Sequence, residues 1–170
     1  QRFPRDSEVI SNLKDKDMYN TKSRTRTYFF DRIENHNNKE FVDVGASNIT
    51  VEHIFPQNPD AVWTKFLPAA DYKELAEKYL NTVGNLTLSG NNGKLGNKGF
   101  EEKREMNSDG GEQGYRFSRL WLNRDLKDCT GWGIPQVIAR AETIAARFLE
   151  VWPAPAVDIQ PDTSADEVNI

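Results

Sequence analysis

The chain has 170 residues, 26 acidic against 22 basic, a formal net charge of −4 and 37% hydrophobic residues, which is room for one sizeable domain but not two. No apolar run approaches the roughly 20 residues of a membrane helix, no signal-peptide core is present, and the single Cys129 excludes both an internal disulfide and a multi-cysteine zinc site. Four Trp, nine Phe and five Tyr offer large units of buriable surface, so a soluble, folded, cytoplasmic domain is expected, with no membrane contact.

In chain order, "RDSEVISNLKDKDMY" predicts a short helix with Asp6 or Ser7 as its N-cap and Val9, Ile10 and Leu13 on its apolar side. A second helix is predicted over Arg24 to Glu34, burying Tyr28, Phe29 and Ile33, and "NHNNKE" follows as a loop in which His36 has no role. "NITVEHI" alternates like a strand. Asp60 to Leu67 and Asp71 to Leu80 read as two helices broken by Pro68, and "TVGNLTLS" as the next strand. "GNNGKLGNKGFEEKREM" is a glycine-punctuated turn leading into a helix, and "SDGGEQGY" reads as a loop. A helix is predicted over 115–127. "IPQVIARAETIAARFLEVW" then keeps apolar residues at helical spacing from Ile134 to Trp152, with Pro135 in its first turn.

Two strands followed by a helix, set among other helices, make an α+β fold that is mostly helical, with no internal repeat. The domain is expected over 1–153, with a core at about 48–104 and helical flanks at 5–34 and 115–152. The segment 154–170 has the composition of a disordered acidic tail. That tail holds Asp158, Asp162, Asp166 and Glu167 and no Lys or Arg; taking its four acids away leaves 22, equal to the basic count. The body is therefore neutral, with local basic stretches at "KSRTRTYFFDR" and at Arg116, Arg119, Arg124 and Lys127. Such patches are compatible with DNA without demanding it. The chain starts at Gln1 rather than Met, so a piece of a longer polypeptide is expected.

Chemistry-bearing residues gather on the hairpin. Glu52 and His53 end the first strand, Asn85 lies in the second, Asn91, Asn92 and Asn97 lie in the turn behind it, and Lys98, Lys103 and Arg104 follow. A neutral imidazole is the side chain best suited to take a proton from water near neutral pH. A carboxylate and an amide carbonyl are hard oxygen ligands suited to Mg²⁺ or Mn²⁺. Base, metal and phosphate together read as phosphodiester hydrolysis. Each feature also has a plainer reading: a Glu-His pair is often structural, Asn and Gly suit any tight turn, and the lysines could form one solvated helix face.

The order "VEHIFPQNP", Trp63, then "VGNLTLSGNNGKLGNKGFEEKRE" resembles the HNH branch of the His-Me finger (ββα-metal) nucleases. More narrowly, with "FPRDSEV", "LNR" and "W...I..RA" outside the core, it resembles the C-terminal domain of GmrSD-type modification-dependent restriction endonucleases. The resemblance implies a ββα-metal finger within a helical domain, acting as a DNA endonuclease with one divalent ion, Mg²⁺ or Mn²⁺. It implies His53 as general base, Glu52 and Asn92 as metal ligands, and Asn85 as the residue bracing the histidine loop. Asn97 and Lys98 also match recurring positions of the family, for turn structure or phosphate contact, and Lys103 and Arg104 are further candidate DNA-phosphate contacts. Asn91 stands where related sequences often carry an aromatic, which leaves open whether Asn91 or Asn92 meets the metal. Many HNH domains staple the finger with paired cysteines; this chain does not. The expected partners are DNA and an N-terminal nucleotide-hydrolysing sensor domain. The alternatives are a catalytically silent nucleic-acid-binding module that keeps the finger as scaffold, and a helical interaction domain.

Overall fold

In the computed structural model, residues 4–45, 48–108 and 111–155 are described; most of the expected tail, from residue 156 on, lies outside them. Helices α1 (Asp6–Asp15) and α2 (Ser23–Asn35) lead to strand β1 (Thr50–His53). A helical excursion follows: α3 (Trp63–Phe66), then α4 (Ala69–Glu74) running on into a π-helical turn at Leu75–Tyr79. A 3₁₀ turn at Val83–Asn85 feeds strand β2 (Leu86–Ser89). Short helices α5 (Asn92–Leu95) and α6 (Phe100–Glu105) come next, then a minimal hairpin of β3 (Asn107–Ser108) and β4 (Gly111–Glu112). Two 3₁₀ turns precede the long α7 (Ile134–Val151). The fold is α+β and mostly helical.

Strands β1 and β2 pair antiparallel, with Glu52 opposite Thr87 and His53 opposite Leu86. Both faces of this small sheet are covered. On one side Phe30, Ile33, Leu86, Leu88, Leu122 and Ile144 form an apolar cluster tying α2 and α7 to β2. On the other, Ile54, Phe55, Trp63, Phe100, Tyr115 and Trp132 cluster around the loop that leaves β1. Helix α7 joins the two, because Val137, Ala141, Ile144 and Ala145 recur every three or four residues and are all buried. It also packs closely against the turn before β2. A Cβ on Gly84 would come within 2.3 Å of the Val137 carbonyl oxygen, so only glycine fits there.

Several elements differ from the sequence expectation. Arg5, not Asp6 or Ser7, holds the cap position of α1, and Glu8 reaches back to its amide at 2.7 Å. The second strand starts at Leu86, four residues after Thr82, because Val83–Asn85 turns against α7. Ser108 and Gly111–Glu112 of the expected loop, with Asn107 just before it, pair as the short strands β3 and β4. No α-helix spans 115–127: Tyr115–Phe117 and Trp121–Leu126 are separate 3₁₀ turns. At the start of the second turn the buried Glu34 of α2 accepts the amides of Trp121 and Leu122 at 2.6 and 3.0 Å, drawing donors that a longer α-helix would use internally. Arg116, Arg119, Arg124 and Lys127 therefore share no helical face.

Candidate active site

His53 is the last residue of β1 and is 7% exposed. Its Nε2 lies 3.1 Å from Asn81 Oδ1, and its ring stands 4.3 Å from that of Tyr19, in the segment between α1 and α2. Burial pulls its pKa below the ordinary histidine value of 6.5, and the charges of Lys103 and Arg26 push the same way; the Asn81 hydrogen bond and Asp17 oppose them. At neutral pH the imidazole is uncharged, the form that accepts a proton.

The loop after His53 is pinned by Asn85, which is wholly buried. Its Oδ1 accepts the Phe55 amide at 2.8 Å and the Trp132 indole N–H at 3.1 Å, while its Nδ2 donates to the carbonyls of Phe55 and Leu80, each at 2.9 Å. Its own backbone carbonyl accepts the Ile54 amide at 2.9 Å. With its amide fully used, Asn85 holds the chain next to His53 and has nothing to offer a substrate.

Glu52 points away from His53, as neighbours on a strand must, and is 3% exposed. Lys103 of α6 donates to its Oε1 at 2.7 Å and to the carbonyls of His53 and Ile54 at 2.8 and 3.2 Å. The Tyr115 hydroxyl approaches the same Oε1 at 3.4 Å. Burial raises Glu52 above the usual carboxylate range and lowers Lys103 below the usual lysine range, while their mutual attraction draws both back. Lys103, expected to meet a DNA phosphate, is instead buried. It has no exposed surface, because it shares the inward face of α6 with Phe100, and its ammonium ties that helix to the end of β1.

Asn92 opens α5 and donates to Val51 O at 2.9 Å and Thr50 Oγ1 at 3.2 Å, leaving its Oδ1 to offer. Thr50 and Glu52 share a face of β1, so Asn92 sits on the side of the strand that carries Glu52. Asn91 turns away, its Nδ2 donating to Gln113 O at 3.2 Å. Asn97 is exposed just beyond Gly96, whose φ of +46° makes the bend between α5 and α6. Lys98 is a surface residue paired with Glu102. Arg104 is spent on Glu105 and the Cys129 carbonyl. A groove of about 710 Å³ beside α6 holds none of the candidate catalytic residues. It is lined by Trp63, Phe100 and Trp132, with Asp60, Glu101, Glu102 and Glu105 and no Lys or Arg, a charge that repels DNA.

Sequence reasoning missed Asp17, Tyr19 and Asn81, which reach the histidine only through tertiary packing. Arg26 belongs to the basic stretch noted above but had been given no role; it lies over the Tyr19 ring at 4.8 Å and donates to the Tyr19 carbonyl.

Strand β1 thus ends in a buried histidine, and the short helices after β2 turn an asparagine and a lysine back onto that strand. The chain matches the family described as GmrSD restriction endonucleases, C-terminal domain, over residues 3–147, and it belongs to that family. Restriction-endonuclease function is what that membership indicates. Comparison with curated proteins and with solved structures gave no match. Among the described residues no helix is long and apolar enough to cross a membrane.

Proposed function

We propose that the chain is a divalent-metal-dependent DNA endonuclease domain of the HNH kind, with His53 as its general base. The observation that carries this reading is the buried imidazole of His53 at the end of β1, beside a loop that Asn85 pins from within; burial favours its uncharged form. In the reaction His53 takes a proton from water, the hydroxide oxygen bonds to phosphorus, and the bond from phosphorus to one sugar oxygen breaks, that oxygen taking a proton from solvent. Arg26 supplies a cation beside the base, suited to a phosphate.

A hard divalent ion takes oxygen donors of the kind that the Glu52 side of β1 offers. Glu52 Oε2 and Asn92 Oδ1 are the oxygens that would hold it, few enough for an ion that keeps most of its waters. Such an ion, when bound, supplies charge to neutralise the phosphate and the leaving oxygen. Lys103 neutralises part of the Glu52 charge, which favours modest metal affinity.

The body carries no excess positive charge, so tight binding and choice of target fall to a further domain, an N-terminal nucleotide-hydrolysing one by resemblance. The Glu52–Lys103 pair favours one rival, a silent DNA-binding module in which the acid serves only as a strut. Plasmid incubation with Mg²⁺, Mn²⁺ or EDTA, run beside His53→Ala, decides between them. The nuclease reading expects metal-dependent nicking that the variant loses, and the silent module expects binding without nicking.

A further inference from the structure

His53 is met from outside the hairpin by two segments, the stretch between α1 and α2 and the residue that ends the helical excursion. Asn81 presents its amide to the ring, with Oδ1 3.1 Å from His53 Nε2. The other end of that amide fixes which way round it lies. Asn81 Nδ2 is 3.2 Å from Asp17 Oδ2, and an ionised carboxylate only accepts. Turned over, the amide would set its oxygen against that carboxylate and forfeit the bond. Asp17 is itself anchored, its Oδ1 accepting the Asn20 amide at 2.9 Å and its Oδ2 the Asn20 side-chain amide at 2.8 Å. The Asn81 backbone carbonyl in turn accepts the amides of Met18 and Tyr19 at 2.9 and 3.2 Å.

The oxygen of Asn81 therefore faces the ring, and an oxygen acceptor requires the hydrogen to be on Nε2. In a neutral imidazole the other nitrogen is then bare, and the hydrogen bond made by one nitrogen sets the state of its partner. We propose that Asp17 and Asn81 are positioning residues: a carboxylate–amide relay that holds His53 in its Nε2–H tautomer and leaves Nδ1 as the atom that takes the proton from water. The α1–α2 segment is thus part of the working site, although it lies outside the hairpin and the helices that follow it. The charged groups felt at the ring are Asp17, Arg26 and Lys103. The relay acts through hydrogen-bond direction, not through any of their titrations. The proposal deepens the nuclease reading and rests on it.

The test separates the two claims. The ¹⁵N-labelled chain is studied by long-range ¹H–¹⁵N correlation at about pH 8, above the ordinary histidine range. There are only two histidines, so His36→Ala assigns the signals. Wild type should show His53 protonated on Nε2 and bare on Nδ1. Asp17→Asn lets the residue 81 amide turn over, and the Nδ1–H form should then appear. Plasmid-cleavage kcat should fall roughly 100-fold with KM nearly unchanged, the scale of losing a correctly placed general base. The exchange Asp17→Asn/Asn81→Asp restores an oxygen facing the ring and a donor behind it, so both the spectrum and much of the rate should return. Asn81→Ala keeps the backbone carbonyl that Met18 and Tyr19 use, and guards against a folding defect peculiar to residue 17. An Nδ1–H tautomer in wild type, or an unmoved tautomer in both Asp17→Asn and Asn81→Ala, overturns the relay. If the tautomer shifts as expected but His53→Ala cuts DNA like wild type, the nuclease role of His53 fails while the relay stands as structure.

Discussion

Replacing Lys103 by Met keeps the length of an apolar stem but removes the ammonium that Glu52 Oε1, His53 O and Ile54 O share at 2.7, 2.8 and 3.2 Å. What remains is a carboxylate 3% exposed, with the Tyr115 hydroxyl at 3.4 Å as its one close donor among the described residues. Breaking one side of such a buried pair costs about 3–5 kcal/mol, more than the intact pair is worth, because the surviving charge is left uncompensated. At roughly 2–4 °C per kcal/mol for a chain of this size, that loss should lower the melting temperature by roughly 6–20 °C. Urea unfolding followed by tryptophan fluorescence measures it. The control Lys98→Met, which breaks a surface pair with Glu102, should stay within about 0.5 kcal/mol of wild type. Glu52→Gln/Lys103→Met, which removes the stranded charge, should recover part of the loss. A cost below about 1 kcal/mol for Lys103→Met would refute the reading of this pair as the strut between α6 and the end of β1.

Other outcomes follow from the same geometry. Asn85→Ala strands the Phe55 amide, the Trp132 indole N–H and two carbonyls, and should cost about 3 kcal/mol with loss of cleavage; a stable, active variant by urea unfolding and plasmid assay would show that the loop does not depend on it. His53, depressed by burial, should titrate below 6.5 in an NMR pH series. Because the folded state gives up its proton more readily than the unfolded one, its contribution to stability should be full above pH 6.5 and lost as pH falls through the folded value. Chelation by EDTA should abolish plasmid cleavage, and Asn92→Ala should raise the Mg²⁺ concentration needed for half-maximal rate; cleavage undiminished in EDTA would remove the metal from the mechanism.

The hairpin was legible because β1 alternates in β-branched fashion and ends in a Glu-His pair before a proline turn, and because "GNLTLS" supplies a matching strand. Helix α7 was legible for the same reason of period. Lys103 was misread because "FEEKRE" looks like a solvated charged helix. The clue was its spacing, three residues after Phe100, which places it on the buried face of α6. The 115–127 stretch was misread because its helical composition gave no sign that Glu34, far earlier in the chain, would take the amides of Trp121 and Leu122. Asp17 and Asn81 carry no local signal: an Asp before "MYN" and an Asn after a helix are ordinary turn residues, and only their meeting at His53 gives them a role. Period reports which face of an element is buried, but not which distant polar group completes it.

Single-turnover cleavage of supercoiled plasmid by wild type and His53→Ala in Mg²⁺ tests most directly whether His53 is the base of a metal-dependent nuclease. DNA binding and melting temperature are measured on the same samples. Cleavage by wild type, with a rate loss of roughly 100-fold or more in a variant that still folds and binds, is the predicted result. Equal cleavage by both proteins would contradict it.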